Sequence, residues 1–174
     1  LASDIVTSVA PDRDGVWVGT QAGASRLVEG TWQNLGPADG LAGDLVWRVG
    51  VGADDDVWFS THSGGVGRYS TTDDKWTMYA AESFPLVNAR VLASDRDGMP
   101  WVHIGDDNVY RFNGTAWELA YEVGGGRWVC DIAVDDHNTP YIATCVGYRA
   151  VGTGVAYREN DSWHEWTVDD GLPD

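Results

Sequence analysis

Lysine is nearly missing from this chain: Lys75 stands alone among 174 residues, against 21 aspartates. With 27 acids and 11 bases, ten of the latter arginine, the formal charge is −16. A phosphate backbone or an anionic membrane is repelled by such a surface, so nucleic acid is not an expected partner. No run of about 18 apolar residues exists, which excludes a membrane span as a helix. Nucleophile elbows, phosphate loops and dinucleotide fingerprints are also absent. The glycine-rich "VGGGR" at 123–127 joins strands instead of opening a helix. Histidines 62, 103, 137 and 164 lack zinc spacing. The paired aspartates (12 and 14, 54–56, 95 and 97, 135 and 136) lack the further ligands of a calcium loop and are accounted for by hairpin turns. No metal, no cofactor and no catalysis are expected.

What is abundant is tryptophan, at 10, and glycine, at 22, and both recur along the whole length. "DRDGVWVGTQAG" at 12–23 returns as "DDDVWFSTHSGG" at 54–65, and more loosely at 95–108 and 135–147. Its first aromatic falls at Trp17, Trp58, Trp101 and Tyr141, with intervals of 41, 43 and 40 residues. A second aromatic follows in each unit: Trp32, Trp76, Trp117 and Trp163. Four units result, approximately 1–40, 41–85, 86–126 and 127–171, in what reads as a single region.

Each unit holds four short segments rich in Val, Trp, Tyr and Ile, parted by Gly, Asp and Asn turns and without helical period. In the first unit strands are expected near 5–10, 16–20, 24–28 and 31–35. Asp-x-Asp-Gly suits the first hairpin, with Asp capping its own turn and Gly taking positive φ. Val16 and Val18 point to one face and Trp17 to the other, so both faces are apolar and both need cover. Four-stranded repeats of this length satisfy that demand by stacking around an axis. The expected fold is all-β, a β-propeller of four-stranded antiparallel blades, with four repeats present. Small residues two places after the first aromatic (Gly19, Ser60, Ala143) let neighbouring sheets approach.

The stretch "GLAGDLVWRVGVGADDDVWFSTHSGGVGRY" at 40–69 resembles the two-component regulator propeller repeat, which runs Gly-Leu-x-x-Asn-x-Val, Asp-x-x-Gly-x-Trp-x-Gly-Thr and Gly-x-x-Arg-Tyr. Asp4 and Asp44 stand where that pattern has Asn, and His103 and Ile104 replace its Gly-Thr. Extra residues surround "CVGYRAVG" in the fourth unit. The resemblance implies a ligand-sensing propeller outside the cytoplasm, extracellular or periplasmic, often binding glycans within a larger chain, and it does not imply catalysis. "DDGLPD" at 169–174 repeats "ADGLAGD" at 38–44, so start and end are in register. Three arrangements fit: a closed four-bladed ring, half of an eight-bladed ring completed by a second copy, or an excerpt of a longer ring.

In a meander the loops entering the first strand and leaving the second share one rim. That rim collects Asp4, Asp44, Trp47, Arg48, His62, Asn88, Arg90, His103, Arg127, Trp128 and Tyr148. Aromatic planes beside Arg and His suit sugar rings, which stack and take paired hydrogen bonds. Trp47, Arg48, His62, Arg90, His103, Arg127, Trp128 and Tyr148 are therefore the candidate ligand-binding set, for a carbohydrate or other small ligand. The competing reading is a structural or assembly module whose blades associate between chains. Arg26, Arg68 and Arg111 recur in the third strand and are expected to pair with turn carboxylates. Cys130 and Cys145 face each other if the fourth hairpin centres near His137, with 132 opposite 143, and outside the cytoplasm they form a disulfide.

Overall fold

The computed structural model describes residues 1–52, 55–79, 89–105, 108–147 and 151–173. Among them lie sixteen strands in four antiparallel sheets and no α-helix. Blade one is β1 (Val6–Pro11), β2 (Gly15–Thr20), β3 (Gly23–Val28) and β4 (Thr31–Leu35). Blade two is β5 (Val46–Val51), β6 (Val57–Thr61), β7 (Gly65–Ser70) and β8 (Lys75–Tyr79). Blade three is β9 (Val91–Ser94), β10 (Pro100–Ile104), β11 (Asn108–Phe112) and β12 (Trp117–Glu122). Blade four is β13 (Trp128–Val134), β14 (Pro140–Val146), β15 (Val151–Glu159) and β16 (Ser162–Trp166). Every sheet is a simple meander, and β1, β5, β9 and β13 pack side by side in that order, as inner strands of a propeller do.

Three separate apolar cores fill the three junctions. Trp17 is fully buried, with its ring 5.4 Å from Phe59 and 5.5 Å from Tyr69 of the next blade. Trp58 repeats this between blades two and three against Phe112, and Trp101 does so between three and four against Val129 and Ile132. A Cβ on Gly19 would stand 2.8 Å from Val46 Cγ1 and 3.2 Å from Val49 Cγ2, so the small residue sets how closely blade two approaches.

In blades one, three and four the leading aspartate of the first hairpin caps its own turn, as expected. Asp12 Oδ1 accepts from the amides of Asp14 and Gly15, Asp95 Oδ1 from Asp97 and Met99, and Asp135 Oδ1 from His137 and Thr139. Positive φ is borne out at Gly98 (76°) but falls to Asp55 and Asn138 (both 62°) in two other turns. Gly15 has no such angle; a Cβ there would lie 1.9 Å from the Leu27 carbonyl oxygen, so close strand approach is what requires glycine.

A second departure is a bulge in the inner strands. Val6 pairs with Thr20 but Ser8 with Gly19, Val46 with Thr61 but Arg48 with Ser60, and Val129 with Thr144 but Asp131 with Ala143. Thr7, Trp47 and Cys130 are the extra residues. The expected facing of Cys130 and Cys145 is thereby corrected: Ile132 pairs with Ile142, and Cys145 pairs with Trp128. The disulfide forms from the bulge position, across a Cα–Cα distance of 6.0 Å.

The two ends of the stack differ from the junctions. On β1, Val6 and Val9 are 44% and 61% exposed; on blade four, Val151 and Trp166 are 61% and 39% exposed. The turn at Pro37–Asp39 recurs at Val168–Asp170, with left-handed Gly40 and Gly171 closing the two. Leu41 after the first is buried between blades one and two, whereas Leu172 after the second lies against blade four's outer side.

Candidate functional site

The aspartate-bearing hairpins gather on one rim, where the recurrent arginines are spent on architecture. Arg26 reaches Asp12 Oδ2 at 2.8 Å and Arg111 reaches Asp95 Oδ2 at 2.7 Å, and Arg68 holds Asp56 in the same way. Each guanidinium also lies over its blade's tryptophan, at 5.0 Å for Arg26 on Trp17 and 5.8 Å for Arg68 on Trp58 and Arg111 on Trp101. Trp17 and Trp101 donate their indole N–H to the same aspartates. Burial alone would raise the Asp12 carboxyl, but the Arg26 hydrogen bond and charge, the Asp14 amide and the Trp17 indole together hold it below its ordinary value. In blade four Tyr141 and Tyr157 take the paired places of tryptophan and arginine, and Arg158, one residue on, turns to Asp161.

The opposite rim is built where inner strands begin and second strands end. Trp47 is the bulge residue of β5, and a bulge re-aims its side chain. His62, just past β6, donates its amide to the Leu45 carbonyl, and its ring meets Trp47 edge-on at 5.7 Å. Arg90, just ahead of β9, donates its amide to the His103 carbonyl and sets its guanidinium 5.8 Å from the Trp47 ring centre. The Trp47 Nε1 is buried and has no hydrogen-bond partner among the described residues. Arg48 is half-buried beside it. Thus Trp47, His62 and Arg90 come together, with Arg48 next in the chain and His103, 5% exposed, one backbone hydrogen bond away.

Arg127 and Trp128 belong to a different place, the end of the loop between blades three and four and the first residue of β13. Arg127 grips both oxygens of Glu165, at 2.9 and 3.1 Å, and donates to the Val123 carbonyl at 3.0 Å. The Tyr121 hydroxyl donates to Glu165 Oε1 at 2.6 Å. The Arg127 hydrogen bonds, then that of Tyr121, hold Glu165 below its ordinary value, while burial and then the Glu165 carboxylate push Tyr121 up to about 12. A guanidinium so occupied is a blade-to-blade clamp rather than an open ligand donor. Trp128 is 40% exposed opposite Cys145. Tyr148 and Asn88 lie outside the described residues. The sequence reading missed Glu165 and Tyr121; an aromatic three or four residues after Trp76, Trp117 and Trp163 (Tyr79, Tyr121, Trp166) was a usable signal.

A concavity of about 700 Å3 lies elsewhere, on the outer side of blade four, lined by the disulfide, Val151, Val155, Val168 and Leu172. Its apolar lining matches the junction surfaces more than a polar ligand site.

The two component regulator propeller profile matches residues 1–22. No curated protein matches the chain in sequence. Among solved structures, the extracellular domain of a protein described as a hybrid two component system of B. thetaiotaomicron superposes with TM-score 0.71 at 15% identity, covering 94% of this chain and 22% of that one. A streptogramin B lyase gives 0.73 at 15%, covering 96% and 56%. An auxiliary nutrient binding protein from Bacteroides thetaiotaomicron gives 0.64 at 9%, covering 94% and 40%. The chain therefore spans between about a fifth and somewhat over half of these proteins. At such identities the likeness concerns fold. Together with the four stacked meanders, these matches give the chain a β-propeller fold whose first 22 residues match the two component regulator propeller.

Proposed function

We propose that this chain serves an extracellular or periplasmic sensor or surface protein and binds a carbohydrate, without acting on it chemically, at the rim where Trp47, His62 and Arg90 meet. The observation that carries this reading is the re-aimed Trp47. It offers an aromatic plane flanked by a cation and an imidazole, with an indole N–H that nothing among the described residues satisfies. Sugar rings use such planes, and buried donors without partners are costly unless a ligand or water meets them. Relatives in fold point both ways on catalysis, since one is a nutrient binding protein and others are lyases. Support for a binding role rests on the rim, which sets an indole and a guanidinium side by side in place of a paired acid and base.

A glycan array followed by calorimetry tests this. Trp47→Ala is expected to abolish binding while leaving the melting transition cooperative; unchanged affinity would remove the rim from consideration. A second reading, assembly between chains, is favoured by the apolar ends at Val6, Val9, Val151 and Trp166. Its signature is a mass in solution that doubles with concentration and returns to the single-chain value on Val9→Asp.

A further inference from the structure

Carboxylates outnumber cations 27 to 11 in this chain, so an arginine has every opportunity to find one. Six do: Arg13 with Asp55, Arg26 with Asp12, Arg68 with Asp56, Arg111 with Asp95, Arg127 with Glu165 and Arg158 with Asp161. Arg96 is held instead by the Asp136 carbonyl at 3.2 Å. Among the described residues Arg48 and Arg90 also have no ion-pair partner; Arg90 sets its guanidinium 5.8 Å from the Trp47 ring centre, and Arg48 follows Trp47 in the chain. Asp44, three residues before Trp47, is exposed and pairs with neither. Charge left unmatched in an acidic protein, at the spot where an indole N–H is also unmatched, marks a place prepared for an acceptor from outside.

Resting on the rim reading above, we infer that the bound sugar is an acidic one, its ring against Trp47 and its carboxylate on Arg90. A planar guanidinium takes a carboxylate through two parallel hydrogen bonds, and such charge-assisted bonds are the strong ones. A neutral sugar would leave the Arg90 charge unanswered. The net charge of −16 sets a limit on the class: a long polyanion is repelled over its whole length, whereas a short sugar acid feels mainly the local charge. The ligand is thus a short oligosaccharide ending in, or containing, a uronic acid.

The test is calorimetry on the 174-residue chain with trisaccharides of glucuronic, galacturonic and mannuronic acid, each beside its neutral hexose counterpart. At least one acid is expected to bind roughly ten-fold or more tightly than its neutral partner, the scale of a charge-assisted hydrogen bond. Arg90→Gln is expected to collapse that preference and Arg90→Lys to restore part of it. Arg13→Gln removes the same charge on the opposite rim and is expected to leave the preference intact. Melting curves of all three variants verify the fold. Equal binding of acid and neutral sugars overturns the inference while the rim reading stands. Loss of the preference in Arg13→Gln as in Arg90→Gln overturns it too, by showing that net charge alone is at work. Binding of neither class overturns both.

Discussion

Asp95 shows how much one side chain can carry here. Its carboxylate is fully buried, caps its own hairpin through Oδ1, and through Oδ2 receives the Trp101 indole and the Arg111 guanidinium. Asparagine in its place keeps one acceptor but leaves the Arg111 guanidinium, 29% exposed, with only the more distant Asp97 at 3.9 Å. The expected loss is about 2 kcal/mol in urea unfolding, the scale of losing a charge-assisted hydrogen bond. Asp12 and Glu165, held below their ordinary values, stabilise the fold wherever the unfolded carboxyl is already ionised. That stabilisation drains away as pH falls through their folded values, so a melting-temperature profile should drop on the acid side of pH 4. Tyr121 and Tyr69, both pushed up to about 12, act in the opposite sense: their contribution is complete below pH 10 and fades as pH climbs toward 12. A profile flat at both extremes would contradict these assignments. The aspartate–arginine pairing was legible in the sequence, because a residue type that recurs at one place in every unit answers to the unit. The clamp of Arg127 and Tyr121 on Glu165 was not legible, since it reaches from the third unit to the fourth at positions that do not repeat.

At the scale of strands and turns, the meander, its boundaries to within a residue or two in blade one, and the close approach at Gly19 follow from patterning. The bulge does not. One extra residue in an inner strand changes neither composition nor the spacing of turn signals, so Thr7, Trp47 and Cys130 look like any other strand residues. That single unread feature shifts the cysteine pairing and decides which aromatic faces the rim. Reduction of Cys130–Cys145, which closes a span of 15 residues, is expected to cost about 2–3 kcal/mol. Calorimetry with and without reductant measures it, and no change would mean that the hairpin alone supplies the order. Gly19→Val should also destabilise, by about 1–3 kcal/mol, because Val46 and Val49 leave no room for the added carbons.

Over the whole molecule, apolar contact between blades is set against a charge of −16. Raising salt from about 0.01 to 0.15 M shortens the screening length from about 30 to 8 Å. Like charges then repel less, and the melting temperature is expected to rise; a fall would show that the arginine–aspartate pairs outweigh the repulsion. The bare valines and tryptophan at the two ends of the stack give this electrostatics a further role. Identical copies meeting end to end must first push through each other's ionic clouds. Low-salt buffer therefore acts as a brake on sticking, and the same addition of salt that firms up each molecule also loosens that brake. Any measurement on this chain will have to choose between a sturdier solute and a less sociable one.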